Sequence, residues 1–264
     1  MNLSDQAFAT VADTFHRVSG IRLEASKRQM VIGRLQRLAG ERGLTNLDDY
    51  VEQVIRGGDE QELVKVIDRL TTNETYFFRE GAHFDYLTQV VAQRQPGMPF
   101  RVWSAASSSG EEAYSIAMLL TDKIGPQGWE IVGTDLSTTM VDAAQRALYP
   151  MERARHTPPA YLKRFCLKGQ GPYEGKLLID KALRSRTHFL QANLMQPLPD
   201  IGQFDVVFLR NVLIYFDPPS KLDIVQRVMG QIRKGGYLFT GHSESLSRLP
   251  EGLVNIQPSV YART

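Results

Sequence analysis

The reading of the fold turns on Arg101-Val102-Trp103-Ser104-Ala105-Ala106-Ser107-Ser108-Ser109-Gly110-Glu111-Glu112. A short apolar run leads into a loop of small residues, and a helical stretch follows from Glu111 to Thr121. The same grammar recurs downstream. Ile131-Val132-Gly133-Thr134 ends at Asp135 and is followed by a helical pattern from Thr138 to Leu148. Phe204–Leu209 precedes a helical stretch over Ser220–Ile232, and Gly236–Thr240 closes the series. Strand alternating with helix predicts a mostly parallel sheet covered by helices. In such sheets ligands bind beyond the carboxyl ends of the strands.

Upstream, the first seventy residues predict a small helical bundle. Apolar residues fall at helical spacing through Phe8, Val11, Phe15 and Val18, then Met30, Val31, Leu35 and Leu38, then Leu47, Tyr50, Val51 and Val54. Gly20, Gly40, Gly43 and Gly57-Gly58 punctuate them, and Thr45–Asp48 and Asp59–Glu62 read as helix starts. Between Leu148 and Thr187, Pro150, Pro158, Pro159 and a cluster of glycines interrupt the alternation. The runs Phe165-Cys166-Leu167 and Lys176–Ile179 predict a small antiparallel hairpin inserted there.

Composition narrows the function classes. The chain has 264 residues, 42% apolar and 23% charged, with a net charge of +2. That balance is globular and too nearly neutral for wholesale nucleic-acid binding. A lone Cys166 excludes an internal disulfide framework and a cysteine-based zinc site, and points to a reducing compartment. No apolar run approaches the ~18 residues of a membrane span, and the N-terminus shows no export signal, so a cytoplasmic location is expected. From Arg146 to His188 ten Lys/Arg face three Asp/Glu, a local excess that fits either an acidic partner or a solvated face. Lys27, Arg34 and Arg37 fall toward one side of the second predicted helix and leave the same two readings open.

Several residues could carry chemistry. The loop after the first strand lacks G-x-G-x-x-G and instead places Glu111 and Glu112 where a pyrophosphate would need no acid. Negative charge there suits a cationic or donor-rich ligand, although acids also favour a helix start. Asp135 ends its strand 24 residues after Glu111, near the ~20-residue offset of a ribose-binding carboxylate. A strand-end Asp that caps the next helix has the same spacing. Together these features point to an adenosine-type ligand without phosphates. Asn193-Leu194 and Arg210-Asn211 follow apolar runs at the functional edge, and Tyr215 follows shortly after. The junction Leu70-Thr71-Thr72-Asn73-Glu74-Thr75-Tyr76-Phe77-Phe78-Arg79-Glu80 is too aromatic for a plain linker and is expected to wall the pocket.

Other patterns are set aside. Gly169–Gly175 follows no strand–helix crossover and reads as a hairpin turn. Gly241-His242-Ser243-Glu244-Ser245 lacks the second glycine of a nucleophile elbow. The five histidines show no metal-ligand spacing, so no metal is expected.

TTNETYFFRE (71–80), RVWSAASSSGEEAYSIA (101–117), FLRNVLIYFD (208–217) and Gly235–Ser247 with GHSESL resemble the bacterial chemotaxis receptor glutamate methyltransferases, the CheR family. The resemblance implies a helical N-terminal domain over 1–70 and a Rossmann-like class I methyltransferase domain over 71–264, with a β-subdomain at about 155–186. It implies methyl transfer from S-adenosylmethionine to glutamate carboxylates on the cytoplasmic helices of chemoreceptors. By motif, Asn73, Thr75, Arg79, Glu111, Asp135, Asn193, Leu194, Arg210 and Asn211 resemble the cofactor-contacting positions, with Glu112 the alternative to Glu111. Arg79 and Tyr215 resemble the residues beside the transferred methyl. The glycine-bearing turn Gly169–Gly175 is similar to the form that docks a receptor C-terminal tail peptide. A monomer with no nucleic-acid partner and no membrane insertion is expected. A class I methyltransferase acting on RNA or a small molecule, and an inactive cofactor-binding adaptor, are the competing readings.

Overall fold

The computed structural model describes residues 1–95, 97–246 and 248–264. Ser247, the last residue of the 235–247 segment, lies outside them. The chain divides into two compact units: Met1–Thr72 with Tyr215–Ser220, and Asn73–Ile214 with Lys221–Thr264. No helix among the described residues is long and apolar enough to cross a membrane.

In the first unit the helical periodicity is realised as α1 (Asp5–Ser19), α2 (Arg28–Glu41), α3 (Leu47–Val51) and α4 (Glu60–Leu70). Each start that uses a side chain satisfies an otherwise orphaned N–H: Ser4 accepts from Ala7, Asn46 from Asp48, and Asp59 from Glu62. Gly20 ends α1 at φ 76°, a left-handed cap suited to a residue without Cβ. Past Val51 the helix loosens into a π turn over Glu52–Arg56. Val11, Phe15, Val31, Leu35, Tyr50, Val54 and Leu70 form the buried faces. Each large apolar side chain so buried contributes roughly 1.5–3 kcal/mol.

The basic face expected on α2 is not a free one. Arg34 donates to the carbonyls of Leu70 and Thr71 at 2.8 and 2.9 Å, closing the C-terminus of α4. Lys27 belongs to the 3-10 turn Ala25–Lys27 ahead of α2, and Arg37 pairs with Glu41 at 3.1 Å. Of the three cations, Arg34 is therefore a helix cap, held by orphan carbonyls that α4 cannot satisfy itself.

The second unit holds α5 (Ala82–Ala92), β1 (Phe100–Ala105), α6 (Glu111–Ile124), β2 (Trp129–Asp135), α7 (Thr138–Arg146), β3 (Leu148–Pro150) and α8 (Pro159–Phe165). Next come β4 (Cys166–Lys168), β5 (Lys176–Ile179), α9 (Lys181–Arg184), β6 (Thr187–Gln191) and β7 (Phe204–Leu209). α10 (Pro218–Met229), β8 (Ile232–Thr240), β9 (Leu253–Gln257) and β10 (Val260–Arg263) complete the chain.

Seven strands form one sheet in the order β6-β2-β1-β7-β8-β10-β9. The first five run parallel, and β10 returns antiparallel between β8 and β9. Val102, Ile131, Val206, Phe208 and Phe239 are buried, as expected where helices cover parallel strands. From β1 the chain winds outward to β2 and β6, then crosses back to β7 and β8. The switch point therefore lies between β1 and β7, and the loops after these strands open on a common edge.

The inserted hairpin is a three-stranded antiparallel sheet, β3-β5-β4, that starts at Leu148. β3 is only three residues long and ends in Pro150, so alternation could not reveal it. Gly169–Gly175 is the β4–β5 connection, as the hairpin reading expects, with a 3-10 turn at Gly171–Tyr173.

Candidate active site

The loop after β1 reaches α6 through unusual backbone. Ala106, Ser108 and Gly110 have φ of 62, 49 and 95°. A Cβ on Gly110 would meet Ala144 Cβ at 2.8 Å and the Tyr149 hydroxyl at 3.0 Å, so this position has room for glycine alone. Tyr149 donates to the Ser109 carbonyl at 2.7 Å and supports the loop from below. Burial pushes the Tyr149 phenol well above its ordinary range, so it stays a neutral donor.

Asp135, buried at the end of β2, gathers one half of the expected site. Its carboxylate accepts from the Ser108 N–H at 2.8 Å and the Ser137 N–H at 2.9 Å. Its carbonyl accepts from Ala192 N–H at 2.9 Å, which brings the turn at Asn193-Leu194 alongside. Asn193 Oδ1 accepts from Met195 N–H at 2.9 Å, and the Leu194 carbonyl accepts from Arg227. Ser108 Oγ donates to the Asn73 carbonyl at 3.0 Å. Asn73, Ser108, Asp135 and the β6 turn are thus linked by hydrogen bonds across three strands.

Arg210, at the end of β7, gathers the other half. Its side chain is 2% exposed and donates to Glu112 at 2.8 Å, to Glu80 at 3.0 Å and to the Arg79 carbonyl at 2.6 Å. Asn211, at φ 57°, donates through Nδ2 to Glu80 Oε1 at 3.1 Å. Arg79 bonds the Glu74 carbonyl at 2.9 Å, with its guanidinium 5.8 Å from the Tyr76 ring centre. Phe77 and Phe78 anchor the segment: Phe77 meets Tyr149 edge-on at 5.0 Å, and the Phe78 N–H donates to Ser115 Oγ at 3.0 Å. Thr75 is half-buried between these anchors and Asn73.

The two acids that open α6 have different partners. Glu111, fully buried, pairs with Arg153 at 2.5 Å and accepts from Ser109 Oγ at 2.7 Å. Glu112 accepts from Ser104 Oγ at 2.7 Å and from Arg210. Burial raises the Glu112 pKa despite Arg210 and the Ser104 hydrogen bond. Burial also pushes Glu80 upward, but Arg210 and Asn211 more than offset this and hold it below the usual carboxylate range. Tyr215 groups with the helical unit.

Two organising residues, Arg153 and Glu244, escape a reading of the sequence, and a third, Glu80, stands in it only as the end of the junction segment. Arg153 pairs with Glu111 from a turn in the insert. Glu80 ties Arg210 to Asn211. Glu244 accepts backbone N–H bonds from Asn211 at 2.6 Å, Gly241 at 2.7 Å and Ile214 at 3.2 Å. A Cβ on Gly241 would meet Glu244 Oε2 at 2.6 Å and Asn211 Nδ2 at 2.8 Å, so this turn also needs glycine. The signal for Glu244 was present: an acid four residues past a parallel strand, in a turn that gives it backbone donors.

A doubly wound sheet with an acidic, strained first loop defines a nucleoside-binding α/β protein whose ligand carries no phosphate. Residues 73–262 match the model of the CheR methyltransferase SAM binding domain, and residues 6–71 match that of the CheR methyltransferase all-alpha domain. Chemotaxis protein methyltransferase 2 of Pseudomonas aeruginosa is 38% identical over 259 residues, 97% of this chain and 92% of that protein. The chemotaxis protein methyltransferase of Escherichia coli is 37% identical over 98% of this chain and 91% of its own. A solved glycopeptide N-methyltransferase complexed with sinefungin is a remote likeness: 16% identity, a TM-score of 0.39, 63% of this chain and 50% of that one. The chain belongs to the CheR methyltransferase family, and S-adenosylmethionine is the donor its sheet domain takes.

The residues present fit that donor. The loop from Ser104 to Glu112 carries two carboxylates and no cation. The two arginines that reach it are committed to Glu111 and Glu112. With Glu80 and Asp135 added, four carboxylates outnumber these two arginines, an excess that opposes a pyrophosphate and suits a sulfonium and an amino group.

Proposed function

We propose that this protein is a glutamate O-methyltransferase that esterifies side-chain carboxylates on the cytoplasmic helices of chemoreceptors, working in the cytoplasm. The observation that carries this reading is the carboxyl edge of the sheet, where acids and hydrogen-bonding backbone replace the usual phosphate-binding glycines. The division of labour follows the family pattern: a helical domain over 1–70 and a methyltransferase domain over 71–264.

Bound there, the donor supplies an electrophilic methyl on a sulfonium. The protein's part is positioning. Asp135 is suited to the ribose hydroxyls, and Asn193 and Leu194, at the next turn, to the adenine. Asn73, Thr75, Arg79, Glu111, Arg210 and Asn211 are the further binding residues, with Arg79 and Tyr215 beside the reacting groups. Arg210 also acts through others: its two terminal nitrogens bind Glu80, Glu112 and the Arg79 carbonyl, which holds the backbone at 79. No general base is required, because a receptor glutamate with a pKa of ~4.3 is already ionised at neutral pH. Excluding water favours the reaction, since opposite charges are quenched as the methyl moves. Orientation can supply about 7–11 kcal/mol. An arginine clamped on the attacking carboxylate would oppose transfer, so Arg79 orients groups or pairs with the donor's carboxylate.

The small sheet is the proposed docking place for an acidic receptor tail peptide. Leu167 and Tyr173 are both 55% exposed there, in a segment with a clear excess of Lys and Arg.

Incubation with tritiated S-adenosylmethionine and receptor cytoplasmic fragments tests the reading. Base-labile label on the fragments is the expected result; label that resists base, or none, overturns it. In the same assay Arg79→Ala should weaken donor binding and turnover together. Lost turnover with donor and receptor affinities intact would displace Arg79 from its orienting role.

A further inference from the structure

The histidines have no metal-ligand spacing in the sequence, yet the fold brings two of them to one carboxylate. His83 lies on the first turn of α5, His242 in the turn after β8, and Glu80 just before α5. One ligand atom from each lies within 4.8 Å of the other two. Glu80 Oε2 is 3.4 Å from His83 Nδ1 and 3.8 Å from His242 Nε2. Nitrogen and oxygen ligands about 2.0–2.1 Å from a tetrahedral Zn²⁺ stand about 3.3 Å apart. The two spacings to Glu80 lie within about 0.5 Å of that value.

A second observation points the same way. The His83 side chain is 3% exposed, and neither of its ring nitrogens has a hydrogen-bond partner. A buried imidazole ordinarily finds a donor or acceptor. The Glu80 carboxylate, 3.4 Å from Nδ1, is a member of the cluster itself. The His83 and His242 rings stand 4.8 Å apart, tilted by 60° instead of stacked flat. His242 is half exposed, with 53% of its side chain accessible, which leaves an open side for entry and for a water as fourth ligand.

We propose that Glu80, His83 and His242 form a binding site for a borderline divalent cation of the Zn²⁺ class. Two imidazoles and one carboxylate suit Zn²⁺ and its transition-metal neighbours, whereas Mg²⁺ and Ca²⁺ prefer all-oxygen shells. The cation shares Glu80 Oε2 with Arg210, which keeps Glu112 as its second partner, while Asn211 keeps Glu80 Oε1. The site needs no donor and no receptor, so its test stands apart from the methyltransferase reading.

Tag-free full-length protein titrated calorimetrically with ZnCl₂ alone should bind one equivalent, and MgCl₂ should give no heat. Outer-shell partners of a metal are themselves worth 10–100-fold in affinity, so His242→Ala, which removes a direct ligand, should weaken Zn²⁺ binding at least roughly tenfold. His188→Ala, at an exposed histidine beside Glu130, should leave binding unchanged. Co²⁺ should give visible absorption bands that His242→Ala abolishes. No binding by the wild type, equal losses in the two variants, or Zn²⁺ affinity untouched by His242→Ala would each overturn the assignment. Because His242 is half exposed, its variant is expected to fold, and the far-ultraviolet circular dichroism spectrum verifies this.

Discussion

The helical unit and the sheet unit treat backbone strain in opposite ways. Among the described residues, the helical unit has positive φ only at Gly20, Gly43 and Gly58, where helices end and no side chain objects. The sheet unit, besides its glycines, has positive φ at Phe78, Glu80, Ala106, Ser108, Ala147, Asn211 and Ser259. Five of these seven lie in the two segments and one strand end that build the candidate site. Non-glycine residues in such conformations cost on the order of 1–3 kcal/mol each, and they persist only where surrounding bonds over-determine them. Here those bonds are visible: Asp135 holds Ser108, Glu244 holds Asn211, and Arg210 holds the carbonyl next to Glu80. The bundle is built for economy of conformation, the carboxyl edge for a fixed geometry.

The sharpest way to break this contrast is to remove its central cation. Arg210→Met leaves the largely buried Glu80 and Glu112 without their cationic partner, and stability should fall by about 3 kcal/mol. Both tryptophans, Trp103 and Trp129, lie in the sheet unit, so denaturation followed by their fluorescence reads the right region. A variant as stable as the wild type would remove Arg210 from its organising place.

The acid side of the stability profile should carry the signature of His83. Burial, helped by Arg210, lowers its pKa from 6.5 to about 4. The unfolded chain binds this proton first, so the contribution is fully present above pH 6.5 and is lost as pH falls toward 4. Denaturation midpoints in the presence of chelator should therefore decline between pH 6.5 and 4, and His83→Phe should flatten that decline. Identical profiles for the two proteins would contradict it.

The smallest effects come from opposite changes at left-handed positions, which should shift stability in opposite directions in the two units. Gly20→Ala places a Cβ in a left-handed cap and should cost about 1 kcal/mol. Ala106→Gly relieves a left-handed alanine and should gain about 1 kcal/mol, less the added freedom of the unfolded chain. Thermal melts of both variants check it. Two losses of equal size would show that the loop after β1 is not strained by its side chain.

Much of this architecture was legible in the chain. The runs ending at Ala105, Asp135 and Leu209 are buried on both faces, and continuous apolar sequence gives them away. α1, α2 and α3 follow from apolar spacing, and the starts expected at Thr45–Asp48 and Asp59–Glu62 fall with Asn46 and Asp59 as caps. Outside the expected elements lie α5, whose Phe84, Leu87, Val90 and Val91 do carry helical spacing, and β9. Val254 and Ile256 on β9 are exposed, so this edge strand shows no buried face to read. Arg34 shows the limit of surface patterning: a cation at a polar position of a helix can be solvated, paired or a cap, and periodicity cannot tell these apart.

The alternation of strand and helix, the acidic loop without phosphate-binding glycines, and the family are all written in local spacing and residue type. Which cation each acid meets is settled by the folding of distant segments together: Arg153 with Glu111 across 42 residues, and Arg210 with Glu112 across 98. It alone brought His83 and His242 to Glu80. The reason is physical: local periodicity encodes which face of an element is buried, while charge pairing depends on which strand ends the sheet order makes neighbours.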